Sequence, residues 1–314
     1  MSRKHSLFPR LALLGAALIW GSSFIVVKDT VDVLPPNLLL ALRFTIAAVL
    51  LCAVFFPRLR KLNRSCFFRG AVIGLLLFCA YSSQTLGITG TTPGKNAFLT
   101  AIYCVLVPFL FWAVDKNRPE PCHFLAAFLC ITGIGLVSLT GQFTIEWGDA
   151  LTLLGGFFYA AHIVAVAKLG KEHDPVLLTI VQFSWAAVFS WAATLLFEPF
   201  PASWTAGSIA GVLYLAVFAT AIALLFQNIG QAHTPPAAAS ILLSLEAVFG
   251  VLFSVLFYGE QLSVRLIVGF VLIFLAVILS ETRLSLPRLK RASTGESPAS
   301  PAFSDRDAHE THNI

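Results

Sequence analysis

Ten apolar runs of about 19 to 24 residues fill nearly all of this chain before residue 283: roughly 8–27, 35–56, 68–89, 94–114, 121–140, 149–167, 175–197, 206–229, 236–258 and 262–280. A hydrocarbon layer of about 30 Å takes about 20 residues of helix to cross, so each run has the length of a membrane span. Short linkers separate the runs, and several carry proline, as at Pro35-Pro36, Pro57, Pro119, Pro175 and Pro199. The expectation is an all-α polytopic membrane protein with ten transmembrane helices. The first run follows Arg3, Lys4 and Arg10, as the apolar part of a signal peptide would. It is too long for that role and has a copy later in the chain, so it is read as a helix.

Length alone would allow two soluble domains in 314 residues. Composition excludes them, with 57% hydrophobic and only 12% charged residues at a mean hydropathy of +0.83; soluble chains carry about twice that charge. The net charge of +5 is not a nucleic-acid footprint, because no basic residues interleave with exposed aromatics. It marks topology instead. With the N-terminus inside, 17 of the 21 Lys and Arg fall in inside segments, and only Lys28, Lys95 and Arg265 fall outside. Both termini are thus expected in the cytoplasm, in a multi-pass plasma (inner) membrane protein. Six cysteines show no CxxC spacing and no histidine at ligand distance, so free thiols are expected, with no metal and no cofactor. Residues 283–314 lack an apolar period and read as a disordered cytoplasmic tail.

The chain also repeats itself. Leu14 to Lys28 aligns with Leu154 to Lys168 at a spacing of 140, and Leu42-Arg43-Phe44 with Val181-Gln182-Phe183 at 139. Gln84-Thr-Leu-Gly87 aligns with Gln227-Asn-Ile-Gly230, and Thr92-Pro93 with Pro235-Pro236, both at 143. The halves are then residues 1–140 and 141–282. Five runs is an odd number, so the second half enters the membrane from the opposite side and the repeats are inverted. Inverted repeats are the recurrent plan of secondary transporters, in which exchanging the two halves' conformations moves access from one side to the other.

Two five-helix halves, Trp20-Gly-Ser-Ser-Phe24 in the first run, Ser244-Leu-Glu-Ala-Val248 in the ninth and the Gly259-Glu260 end resemble the EamA-type transporters of the drug/metabolite transporter superfamily. The resemblance covers residues 8 to 281. It implies a central cavity formed by helices 1, 3, 4, 6, 8 and 9, and export of amino acids or other small metabolites. Members often carry proline after the ninth-helix glutamate, where this chain has Ala247.

Polar residues inside the apolar runs are the candidate substrate or cavity residues. Glu246 lies ten residues past Pro236, roughly 15 Å down a helix and near mid-membrane, where a carboxyl group is costly. It shares a helix face with Ala239, Leu243 and Gly250. It could titrate, bind a substrate amine, or serve as a structural acid bonded to a neighbouring helix. His162 is the repeat mate of Ser22 and could relay a proton or bond across helices. Tyr159, one turn earlier, packs and lines the cavity. Lys95 and Asn96 open the fourth run, where Lys95 could hold a carboxylate at a helix N-terminus or snorkel to headgroups; alanines stand at the matching sites. Gln84, Gln227, Tyr81 and Asn228 suit cavity lining or interhelix bonds. Arg43 is shallow enough to snorkel, and Asp149 and Glu260 are ordinary helix-end charges.

These residues predict a secondary transporter that works by alternating access and exports a small polar or amphipathic metabolite, an amino acid first. Nucleotide-sugar or drug transport on the same fold is the alternative. A non-transporting scaffold or an intramembrane enzyme fits less well, since no nucleophile–base pair is visible. The expected partners are a small-molecule substrate and the lipid bilayer, and oligomeric state is not legible. Proton coupling stays open: Glu246 and His162 could support it, and a facilitator needs neither.

Overall fold

The computed structural model describes residues 7–116, 118–138, 145–170, 172–201, 203–233 and 236–282, the side chains of 115, 228, 229, 231–233, 236–241, 244, 281 and 282 excepted. The tail from 283, much of the linker between the halves, and the side chains of Asn228, Ala237, Ala238 and Ala239 therefore lie outside the described residues.

Helices run along almost the whole described chain. They are α1 (Leu7–Val31), α2 (Pro36–Val54), α3 (Arg64–Thr89), α4 (Pro93–Thr100 and Tyr103–Asp115), α5 (Pro121–Ser138) and α6 (Trp147–Leu169). There follow α7 (Pro175–Phe197), α8 (Ala206–Tyr214, Leu215–Ile222 and Ala223–His233), α9 (Pro236–Phe253 with a last turn Ser254–Tyr258) and α10 (Val264–Thr282). Seven stretches are long and apolar enough to cross a membrane; Pro121–Val137, Leu245–Tyr258 and Val264–Ser280 are shorter apolar helices. Large apolar side chains point outward, among them Ile131, Leu196 and Phe197, the last 80% exposed. Such a surface would aggregate in water and is suited to lipid.

Which helices touch which follows the repeat. α3 packs on α6 and α8 on α1; α1 packs on α9 and α6 on α4; α3 packs on α7 and α8 on α2. Each of these pairs becomes the other when the halves are exchanged. α2 with α7, α4 with α9 and α5 with α10 map onto themselves and lie on the pseudo-two-fold axis. The halves also run oppositely. Lys28, at the end of α1, donates to the Ile88 and Thr89 carbonyls at the end of α3. At the start of α6, Asp149 accepts from Thr91, just beyond α3. The end of α1 and the start of α6 therefore share one end of the bundle, and the repeats are inverted.

Small residues let the paired helices approach. On α5 a Cβ at Gly133 would lie 2.8 Å from the Gly269 carbonyl of α10, so only glycine fits this crossing. The reach across halves also completes a helix start. α2 opens on Pro35-Pro36 with no cap of its own. Glu198, at the end of α7, supplies one: Oε1 accepts from the Asn37 backbone and side chain, each at 2.8 Å, and Oε2 accepts from the Leu38 N–H at 2.9 Å. At the opposite end Arg58, just past α2, pairs at 3.0 Å with Asp174, the cap of α7. Glu198→Ala should therefore lower stability by about 1–2 kcal/mol, the worth of a lost N-cap. A melting temperature within error of the parent would show that water replaces the cap.

Three helices depart from a regular run. α4 breaks at Ala101-Ile102, where Ile102 and Cys104 make tighter bonds to Leu99 and Ala101. Pro108, inside its second piece, cannot donate to the Cys104 carbonyl, and Ser280 of α10 donates there instead at 3.3 Å. α8 widens to a π-helix over Leu215–Ile222, and the last turn of α9 does the same. α9 runs as one helix through Ala247.

Candidate functional site

Glu246 and Tyr103 stand 143 residues apart, which is the repeat spacing of α4 and α9, and they meet. The Tyr103 hydroxyl donates to Glu246 Oε1 at 3.1 Å. A residue and its own repeat mate can touch only beside the pseudo-two-fold axis, so this pair marks the centre of the molecule. Glu246 is 7% exposed, and Leu243 and Ala247 beside it are buried. Gly250, one turn on, makes a tight helix contact: a Cβ there would come within 2.5 Å of Ala97.

From this pair a chain of rings runs across both halves. Tyr103 and Tyr159 have centroids 6.2 Å apart, and Tyr159 and Tyr81 meet edge to face at 5.3 Å. Arg43 lies over the Tyr81 ring with Cζ 4.7 Å from its centre. The three tyrosines come from α4, α6 and α3, and each remains only half-buried although its contacts are to other helices. Tyr159 donates to Gln84 Oε1 at 2.9 Å, Gln84 Nε2 donates to Thr100 at 2.9 Å, and Asn96 donates to Thr152 at 2.7 Å. Among the described residues Asn96 Oδ1 has no partner, and the residue is fully buried.

Tyr81, Gln84, Asn96, Tyr159 and Glu246 are thus brought into one connected cluster. The others sit apart from it. His162 bonds Gln182 of α7 at 2.9 Å, and Ser22 bonds Tyr214 of α8 at 2.6 Å. Gln227 is half-buried on the last piece of α8. Lys95 is at the Lys28 end, where it neither snorkels nor stands free. Its Nζ lies 3.1 Å from Asp149 Oδ2 and 3.4 Å from Glu146 Oε2.

Lys95 belongs to a polar closure of that end. Thr91 donates to Asp149, which is fully buried. Thr92 and the Gly94 N–H donate to Glu260, as does Ser254. The start of α4 is thereby tied to α6 and to the end of α9, across the two halves. A Cβ at Gly94 would meet the Glu260 carboxylate, so a larger residue there would push that side chain aside. A pocket of about 470 Å³ opens over the closure, lined by Thr91, Thr92, Lys95, Glu146, Tyr258 and Glu260. Asp149 and Glu260 are therefore more than helix-end charges: they join the halves.

Two further residues escape a reading of the sequence. Tyr103 is findable by adding the 143 spacing to the argument for Glu246. Arg43 needs a correction: it does not snorkel but is 3% exposed, with its Nε donating to Thr220 of α8 at 2.6 Å. Thr220 donates in turn to the Leu215 carbonyl, five residues back in the π stretch. Trp20 takes the Ala219 carbonyl from the same stretch at 2.8 Å. The widened helix thus leaves the Ala219 carbonyl, which a regular helix would use itself, to a side chain of α1.

Two inverted copies of one helical unit, meeting on a buried carboxyl, are the build of a multi-pass membrane transporter. Comparison with known proteins agrees. The model of the EamA-like transporter family matches residues 7–139 and again 146–282. An uncharacterized transporter of Archaeoglobus fulgidus is 34% identical over 284 residues, covering 88% of this chain and 87% of that one. The uncharacterized inner membrane transporter YedA of Escherichia coli K12 is 24% identical over 255 residues, covering 80% of this chain and 83% of its own. A crystal structure at 18% identity superposes with a TM-score of 0.62 over 87% of this chain and 97% of that one, which shows a common fold. The chain belongs to the EamA-like transporter family.

Proposed function

We propose that this protein exports a small polar or amphipathic metabolite, an amino acid first, by alternating access of halves 1–140 and 141–282. All ten helices serve as spans in this reading. The observation that carries it is the Glu246–Tyr103 bond, which sets one titratable group on the pseudo-two-fold axis between oppositely running halves. A site there keeps its place when the halves exchange conformations, as alternating access requires. The closure at the Lys28 end would hold the state seen here, and Tyr81, Gln84, Asn96 and Tyr159 would line the substrate's place. Ser22, Lys95, His162 and Gln227 would act around that place. Metabolite profiling of medium and cells, with the protein overproduced or absent, tests the reading. A metabolite accumulating outside in step with protein level is the expected result, and an unchanged profile across the amino acids and related small acids and amines counts against it.

The Arg58 end, where the basic residues gather, is assigned to the cytoplasm, with both termini there; the membrane is assigned as the inner one, the membrane that YedA is named for. Reporter fusions near Arg64 and Arg288 should report cytoplasm, and one in the 141–148 linker should report the outside. An external signal at Arg64 would reverse the whole assignment, because every later helix turns with it.

A further inference from the structure

Arg43 carries more hydrogen-bonding capacity than the protein uses. A guanidinium has five N–H donors in a planar fork. Here Nε is spent on Thr220, and the cation rests on the Tyr81 face. Among the described residues no carboxylate pairs with Arg43, and neither Nη group has an acceptor. Among the described residues the buried polar atoms without a partner are Asn96 Oδ1, Trp185 Nε1 and Ser190 Oγ; the Arg43 nitrogens are not among them, and the residue keeps 3% of its surface. A lone cation within a membrane-spanning helix is costly to keep, and removing its charge would relieve that cost.

The geometry also says what would relieve it. The Thr220 bond fixes the plane of the guanidinium and leaves the Nη edge free, the edge that grips a carboxylate through two parallel N–H···O bonds. Beside it stand the Tyr81 and Tyr159 rings, 5.3 Å apart, and the Phe44 ring, 5.2 Å from Tyr81. An anion seated against the Tyr81 ring is drawn to the Arg43 cation, whose Cζ lies 4.7 Å from the ring centre.

We propose that Arg43 is a substrate-binding residue that takes the carboxylate of a cargo whose apolar body packs on Tyr81 and Tyr159. This rests on the transport reading and narrows it to cargo bearing an organic anion. It also brings α2 into the wall of the cavity, where the family resemblance places only helices 1, 3, 4, 6, 8 and 9.

The test is thermal unfolding of the purified full chain in detergent, with benzoate as the probe and benzylammonium as its charge-reversed control. Benzoate should raise the melting temperature of the parent by several degrees and leave that of Arg43→Met unchanged, and Arg43→Met alone should melt no lower than the parent. Benzylammonium should act alike on both proteins. Absence of a benzoate shift in the parent overturns the proposal, as does an equal shift in the variant. If Arg43→Met accumulates poorly, Arg43→Lys decides. It keeps the charge but loses the fork, so its benzoate shift should shrink while its melting temperature holds; an undiminished shift overturns the site. The measurement needs no transport. A missing benzoate response with export intact removes the anion site alone, and a retained response without export removes the transport reading alone.

Discussion

Glu246→Gln is expected to cut net transport about tenfold or more, about 1.4 kcal/mol in the step it serves, while folded protein stays at its normal level and melting temperature. Glutamine keeps an oxygen that can accept from Tyr103, so the bond across the axis and the packing of α9 on α4 survive the change. What is lost is the charge and the ability to titrate. Two further measurements then separate the roles that remain. If Glu246 carries protons, uptake driven by a pH gradient vanishes, yet exchange of preloaded substrate continues, because exchange moves no net proton. If Glu246 instead holds a substrate amine, both modes fail together. Full coupled transport in the glutamine variant would leave Glu246 a structural acid; Glu246→Ala should then deplete folded protein, since it strands the Tyr103 hydroxyl without its acceptor.

The difference between Glu246 and Tyr103 shows how far the sequence could be read. A carboxyl group in an apolar run is visible because almost nothing else in the run could tolerate being charged. A tyrosine in a run of Phe, Val and Leu is not, since its ring packs anywhere and its hydroxyl declares itself only when an acceptor is found. The helices and their doubling were legible for the first reason: hydrocarbon demands an unbroken apolar length, and the copies keep it. The breaks were not. The gap at Ala101-Ile102 and the π stretch at Leu215–Ile222 depend on groups supplied by other helices, such as Gln84 to Thr100 and Trp20 to Ala219. Arg43 was misplaced by depth alone. Its distance from the membrane surface permits snorkelling, but depth says nothing about which way a helix face turns, and this face turns inward. Asp149 and Glu260 look like ordinary terminal charges until the partner half brings Thr91 and Thr92 to them.

Gly21→Ala is expected to lower the melting temperature of the folded protein by several degrees, in keeping with about 1–3 kcal/mol for overpacking a close contact. Gly21 is where α1 crosses α9. A Cβ there would strike the Phe249 side chain, and it would also come within 3.0 Å of the Gly250 N and 3.1 Å of the Glu246 carbonyl. A clash with a side chain alone could be relieved by turning it, whereas the last two atoms are backbone and move only if the helices separate. Phe249→Ala added to Gly21→Ala should therefore restore little of the lost stability. The consequence for the site follows from the same contact. Separating α1 from α9 at Glu246 shifts the carboxyl relative to Tyr103, so the protein that still folds should transport poorly at normal binding of the Arg43 side. Unchanged melting and transport in Gly21→Ala would mean that α1 and α9 do not press together at this level, and that the position of the Glu246 carboxyl does not depend on their crossing.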